Sequence, residues 1–395
     1  MAKALTCPYC YESFDGREIL FRCNMRMSRA QRRCPPKGDP VLVARTGNQR
    51  DVGPLFAADG RRPAAVCPEC ESQTRYRVCP VCHSQLPAQF GQVDHRLIAM
   101  IGAKDSGKTV YMTVLLHEVM NRVGERFDAS IIGANDDTLR RFSSTYEKSL
   151  YERRTMPSTT DRAATRDNRV DPLVFRFSLP KPALFGTAPL HTLLSFFDAA
   201  GEDLTSQDSV DVNARYLAAA DGIILMLDPL QIPGARRIAA PGTPLPGQGP
   251  AYDTPVNVLS RVTELLLAPG TSSSKGIRTP IAIAFSKIDA LQHSLARGNP
   301  LLAEPPSQNH FDESDSLDVH HETARLLKEW DGVAIDQILR NNYQRYRYFG
   351  VSALGRNPTS EMTVDEAGIQ PYRVADPFIW LLSEFGAVRR KARAK

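Results

Sequence analysis

The eight cysteines of this chain stand at positions 7, 10, 23, 34, 67, 70, 79 and 82, and none follows in the rest of its 395 residues. That partition constrains the fold more sharply than hydropathy does, because it separates a small cysteine-rich module from a large cysteine-free remainder. Cys7 and Cys10, Cys67 and Cys70, and Cys79 and Cys82 form C-x-x-C pairs, and Cys23 and Cys34 complete the set. Two tetrahedral Zn²⁺ sites use up eight thiolates, and closed Cys₄ sites are structural rather than catalytic. The first pair arrives where a secretory leader would still need its apolar stretch, so the expected address is cytoplasmic and the expected use of cysteine is metal binding rather than disulfides. Sequential pairing puts Cys7, Cys10, Cys23 and Cys34 on one ion and Cys67, Cys70, Cys79 and Cys82 on the other. An interleaved pairing stays open, as does His83 as a substitute ligand.

With 42% hydrophobic and 24% charged residues, the chain reads as globular. Its apolar runs fall short of the ~18 residues that span a bilayer, so no membrane segment is expected. The charge is uneven: residues 1 to 96 hold 15 Lys and Arg against 9 Asp and Glu, the remainder 34 against 35. The basic loop FRCNMRMSRAQRRC (21–34) could meet nucleic acid or protein, or be a solvated surface. VRRKARAK at the C-terminus reads as a disordered end.

Beyond Cys82 the pattern alternates. HRLIAMI (95–101) predicts a buried strand, 108–123 a helix, 129–133 a short strand and 136–153 a second helix. PLVFRFSL (172–179) and HTLLSFFD (191–198) read as paired strands, 207–220 as a helix, and DGIILMLD (221–228), PIAIAFSK (280–287) and YRYFGVSA (346–353) as further strands. Helical stretches fall near 256–267, 319–340 and 376–386, with irregular loops at 229–255 and 295–315. The expected fold is α/β, a mostly parallel sheet flanked by helices, with the cysteine module appended. The division predicted is 1–92, 93–390 and a basic tail, 391–395.

The segment GAKDSGKT between the first strand and its helix matches G-x-x-x-x-G-K-[ST] in full. In that context Gly102, Ala103, Lys104, Asp105, Ser106 and Gly107 form a loop whose backbone N–H groups cradle phosphates, Lys108 reaches the outer phosphates and Thr109 offers its hydroxyl to Mg²⁺. The strand ending in Asp198 supplies the carboxylate expected to hold Mg²⁺ through water, and Gly201 of DAAG can present its N–H to a γ-phosphate.

Taken in order, GAKDSGKT, DAAG, SKID and SAL resemble the guanine-nucleotide-binding set of translation-factor-class GTPases over about 93–390. Joined to the cysteine module, with CPVCHSQLP shortly before the phosphate loop, they resemble more narrowly the bacterial double-GTPase type 2 family. The resemblance implies a Mg²⁺-dependent GTPase switch partnered by a second GTPase and by effector proteins of bacterial conflict systems. In it Ser286, Lys287 and Asp289 read the base, with Lys287 along the ring and Asp289 accepting from its N1–H and exocyclic amine. Ser352, Ala353 and Leu354 follow, the Ala353 N–H meeting the base carbonyl. Thr159 or Thr160 becomes the switch threonine over Mg²⁺. Glu202 stands where many such enzymes place the glutamine that orients water, so hydrolysis is expected to be slow without a partner. Ser286 replaces the usual Asn or Thr and reaches less far. The alternative carried alongside is a zinc-ribbon adaptor with a slow regulatory nucleotide domain.

Overall fold

A computed structural model describes residues 4–47, 49–103, 105–134, 136–156, 172–182, 187–200, 215–247, 253–267, 276–358 and 363–391. The large sheet has seven strands. In chain order they are β1 (Asp94–Gly102), β2 (Ser130–Gly133), β3 (Leu173–Pro182), β4 (Thr187–Ala200), β5 (Gly222–Leu227), β6 (Ile281–Phe285) and β7 (Tyr346–Gly350). Across the sheet they run β7-β6-β5-β1-β4-β3-β2. The five from β7 to β4 are parallel, and β3 and β2 close one edge through antiparallel pairings.

Why these runs became central strands is visible in where alternate residues go. Leu97, Ala99, Ile101, Ile223, Leu225, Ile281 and Ile283 pack into one core, while Ile98, Met100, Ile224, Met226, Ala282 and Ala284 pack into another. Side chains alternate across a strand, so apolar runs such as IILML are stable only where helices cover both faces. The helices Pro255–Leu267, Glu313–Glu329 and Val333–Asn342 cover the first face. Lys108–Glu118, Phe142–Glu152 and Asp376–Glu384 cover the second.

Several expected elements have different limits. The predicted helix 108–123 is α-helical over Lys108–Glu118 and continues as wider π-turns over Val119–Val123, and 136–153 changes in the same way at Phe142. The stretch 319–340 is two helices, not one. The first starts earlier, at Glu313, where the Asp312 carboxylate accepts from the Ser314 and Asp315 N–H groups. It stops at Trp330 because Asp331 is left-handed (φ 67°) and a Cβ on Gly332 would lie 2.8 Å from Leu327 Cδ2. The loop 229–255 contains helical turns at Pro229–Gln231 and Pro233–Arg237, and 295–315 contains Pro300–Leu302 and the strand Phe311–Asp312. That short strand pairs with Arg390–Lys391, and Val388 is buried, so the predicted disordered end is ordered through Lys391. Of the predicted helix 207–220, residues 215–219 are described and helical.

The cysteine module is built from two- and three-residue strands around its sulfurs. It does not stand apart from the large sheet. Cys7, Tyr9, Phe14, Ile19, Leu86 and Phe90 share one buried cluster with Val174 of β3 and Leu193 of β4. The Phe90 ring meets His95 edge-on at 5.2 Å, and Tyr11 lies 5.1 Å from Tyr216.

Candidate functional site

Parallel strands leave a crevice at their carboxyl ends, where ligands of open α/β sheets bind. The central strand β1 ends at Gly102 and feeds the helix beginning at Lys108. Gly102 has no room for a side chain: a Cβ there would lie 2.5 Å from Ser106 Oγ and 2.9 Å from the Met226 carbonyl. Gly107 caps the helix in the left-handed conformation (φ 81°). Asp105 is also left-handed, at φ 62°. Ser106 and Lys108 are buried, and Ser106 Oγ is fully enclosed without a protein partner. The loop thus lies at the N-terminus of a helix, the end that favours anions, with the Ser106 N–H closing a turn onto the Ala103 carbonyl at 3.2 Å.

On the neighbouring strand β4, Asp198 pairs in register with Met100, two positions before the Ala200–Gly102 pair. Its backbone thus reaches the same crevice; its side chain lies outside what is described. Lys104, Thr159, Thr160, Gly201 and Glu202 also lie outside the described residues.

The SKID segment leaves the end of β6. Ser286 donates its backbone N–H (2.9 Å) and its hydroxyl (3.3 Å) to the Leu227 carbonyl, so the serine braces the adjacent strand rather than the Gly102–Thr109 loop. The loop is braced by Lys287 instead. Lys287 is itself left-handed (φ 52°), and its ammonium donates to the Asp105 carbonyl at 2.9 Å and to Asp228 Oδ2 at 2.6 Å. Asp289 lies in the turn that follows, where burial first of all raises its carboxyl pKa, opposed by a hydrogen bond with the Ser352 side chain and by the Lys287 charge. Ser352 is buried and bridges to Tyr372 through both backbone groups (3.0 and 2.8 Å), while its Oγ accepts from the Gly355 N–H at 2.8 Å. Ala353 and Leu354 are half-buried beside it. Lys287, Asp289, Ser352 and the Gly102–Thr109 loop thus converge, although about 180 residues separate the loop from SKID. Sequence reasoning missed Asp228, whose only signal is a lone aspartate at a strand end.

The sulfurs gather into two foursomes, Cys7, Cys10, Cys79 and Cys82, and Cys23, Cys34, Cys67 and Cys70, each with all Sγ atoms within 4.8 Å of one another. The pairing is nested, not sequential. Its cause is the antiparallel ladder between Leu20–Arg22 and Tyr76–Val78, in which Leu20 faces Val78 and Arg22 faces Tyr76. That register puts Cys23 just past one end of the ladder and Cys79 just past the other, so the two belong to different foursomes. The Sγ–Sγ separations are 3.8 Å for Cys7 and Cys82, 3.8 Å for Cys10 and Cys79, 3.5 Å for Cys23 and Cys70, and 3.7 Å for Cys34 and Cys67. Tetrahedral Zn–S bonds of about 2.3 Å separate neighbouring sulfurs by about 3.8 Å, so both foursomes fit Zn²⁺. After the second cysteine of each knuckle, Tyr11, Glu71 and His83 all take positive φ (64°, 65° and 56°), which non-glycine residues rarely do without a constraint. His83 is not a ligand: its Nδ1 faces the Asp39 carboxylate at 2.9 and 3.1 Å, and Asp39 also takes Arg22 at 2.6 Å.

No helix among the described residues is long and apolar enough to cross a membrane. SaeC of Mycolicibacterium smegmatis, a protein proposed to act in ESX-1 scaffolding and assembly, is 29% identical over 411 residues, covering 97% of this chain and 99% of that one. Among solved structures, the GTPase-like domain of S. cerevisiae Ski7 bound to GTP aligns at 12% identity and TM-score 0.34, over 76% of this chain and 52% of that one. A variant of SsGBP aligns at 13% identity and TM-score 0.25, over 67% and 50%. The chain spans about half the length of each of these two structures. The sequence model of the double-GTPase 2 family matches residues 96–331. That match runs from β1 past the helix Glu313–Glu329 and takes in more than half of the chain, which therefore belongs to the double-GTPase 2 family.

Proposed function

We propose that this protein is a Mg²⁺-dependent GTP-binding and GTP-hydrolysing switch. Membership of a GTPase family supports a GTP-binding domain. The observation that carries the finer reading is the Lys287 ammonium, which ties the base-reading segment to the Gly102–Thr109 loop through the Asp105 carbonyl. In this reading Gly102 to Gly107 and Lys108 hold the phosphates, and Thr109 with Asp198 and either Thr159 or Thr160 holds Mg²⁺. Lys287 and Asp289 select guanine, with Ser286, Ser352, Ala353 and Leu354 lining the base, while Gly201 and Glu202 meet the γ-phosphate and the attacking water. Residues 1–92 form the zinc module and 93–390 the GTPase domain. The two Cys₄ foursomes hold structural Zn²⁺.

The relative's proposed place in ESX-1 scaffolding and assembly supports a role in building a multi-protein system, with protein partners that include a second GTPase. It favours assembly work over a conflict system. The test of the enzymatic part is GTP turnover by the purified chain. Glu202 cannot donate to a phosphate oxygen when ionised, so slow turnover is expected, on the order of 10⁻² s⁻¹ or less, and it should vanish when EDTA removes Mg²⁺. Turnover that persists undiminished in EDTA would contradict Mg²⁺ dependence.

A further inference from the structure

We infer that Asp228 is the positioning residue for base recognition: it fixes the Lys287 side chain against the Gly102–Thr109 loop, so that the platform for the purine is rigid rather than a mobile surface lysine. This rests on the guanine-site reading above. The carboxylate is wholly enclosed, with 0% of its side chain exposed, and a buried carboxylate is tolerated only when paired and hydrogen-bonded. Both of its oxygens are engaged. Oδ1 accepts from the Leu230 N–H at 2.9 Å, and Oδ2 takes the Lys287 ammonium at 2.6 Å.

The backbone brings the two residues of this pair together. Strands β5 and β6 are parallel neighbours with Leu227 opposite Phe285, so Asp228 and Ser286 leave the sheet at the same level. Lys287 then turns left-handed (φ 52°, ψ 32°), a conformation that carries strain for a residue with a Cβ and persists where surroundings over-determine it. Two such surroundings are present, the Asp228 carboxylate and the Asp105 carbonyl. The four-carbon stem is stretched between the end of β5 and the loop, and Asp289 follows within the same 3₁₀ turn, Ile288–Ser294. In this arrangement Asp228 acts through Lys287.

A double-mutant cycle on the full-length protein tests this, with GDP affinity and the thermal midpoint of the nucleotide-free protein as readouts. Asp228→Asn keeps the volume and an oxygen for the Leu230 N–H but removes the charge, and Lys287→Met removes the ammonium. Each single substitution is expected to weaken GDP binding about tenfold or more, and the double variant to bind no worse than Lys287→Met alone, because both remove the same fixed platform. Lys287→Met should lower the thermal midpoint by stranding a buried carboxylate, and the double variant should recover it. If Asp228→Asn alone proves too unstable to assay, comparing Lys287→Met with the double variant still decides, since no recovery of the midpoint would overturn the pairing. Wild-type GDP affinity in Asp228→Asn, or losses that multiply in the double variant, would overturn the assignment of Asp228. Failure of the wild type to bind any guanine nucleotide would instead strike the reading on which it rests.

Discussion

Asp289→Asn is expected to reverse the base preference, with GTP affinity falling by about 10²-fold or more and XTP becoming the better ligand. A carboxylate offers only acceptors, which suits the two donors on one edge of guanine, whereas an amide presents a donor to that edge and leaves a guanine N–H unmatched. Sites that hydrogen-bond a substrate group reject the mismatched partner strongly because a buried polar group is left unpaired, so the effect should exceed that of any apolar contact to the ring. The setting supports this. Asp289 is largely removed from water, its carboxyl is raised by burial and steadied by Ser352 and Lys287, and the loop it faces is tied to it through Lys287. Titration of GTP and XTP into both proteins checks the result. Unchanged GTP affinity with no gain for XTP would remove Asp289 from the base.

The second large effect concerns the metal centres. Cys10→Ser combined with Cys79→Ser should lower bound zinc from about two ions per chain to about one, because the nested arrangement puts both ligands on one site. Sequential pairing would have placed them on different sites, and metal analysis would then find almost none. The stability loss should also reach the nucleotide domain. The Cys7–Cys10 knuckle leads directly into Tyr11 and Glu12, which hold Tyr216 (5.1 Å between rings) and Arg215 (3.1 Å). Tyr216 in turn accepts from the Met100 N–H at 2.9 Å, on the strand that enters the Gly102–Thr109 loop. Loss of this outer foursome should therefore disturb residues packed on β1. Cys23→Ser with Cys34→Ser should also cost one zinc but a smaller drop in thermal midpoint, since among the described residues the hydrophobic side chain packed on the inner cluster is Phe56 of its own module.

The elements legible in the sequence were those coded locally. The β5 and β6 runs are apolar over their whole length, and the glycines of GAKDSGKT announce a turn between strand and helix. That the eight cysteines divide into two foursomes was legible from their number and spacing for a similar reason, since each knuckle is a contiguous turn. What stayed illegible depends on distant partners. Nested pairing follows from two three-residue strands more than fifty positions apart, too short to carry a pattern. The split at Trp330 was hidden because Trp330 itself is buried, so apolar spacing ran on across the break. Asp228 looks like any aspartate capping a turn, and only the parallel register of β5 and β6 brings Lys287 to it. The boundary near residue 92 marks the end of the cysteines but not of the packing, because Leu86 and Phe90 share a core with Val174 and Leu193.

The most direct measurement is the equilibrium affinity of the full-length wild-type protein for GTP and for ATP, side by side in Mg²⁺. A guanine site built on Asp289 and Lys287 predicts GTP tighter by about 10²-fold or more. ATP binding as tightly as GTP would contradict the account.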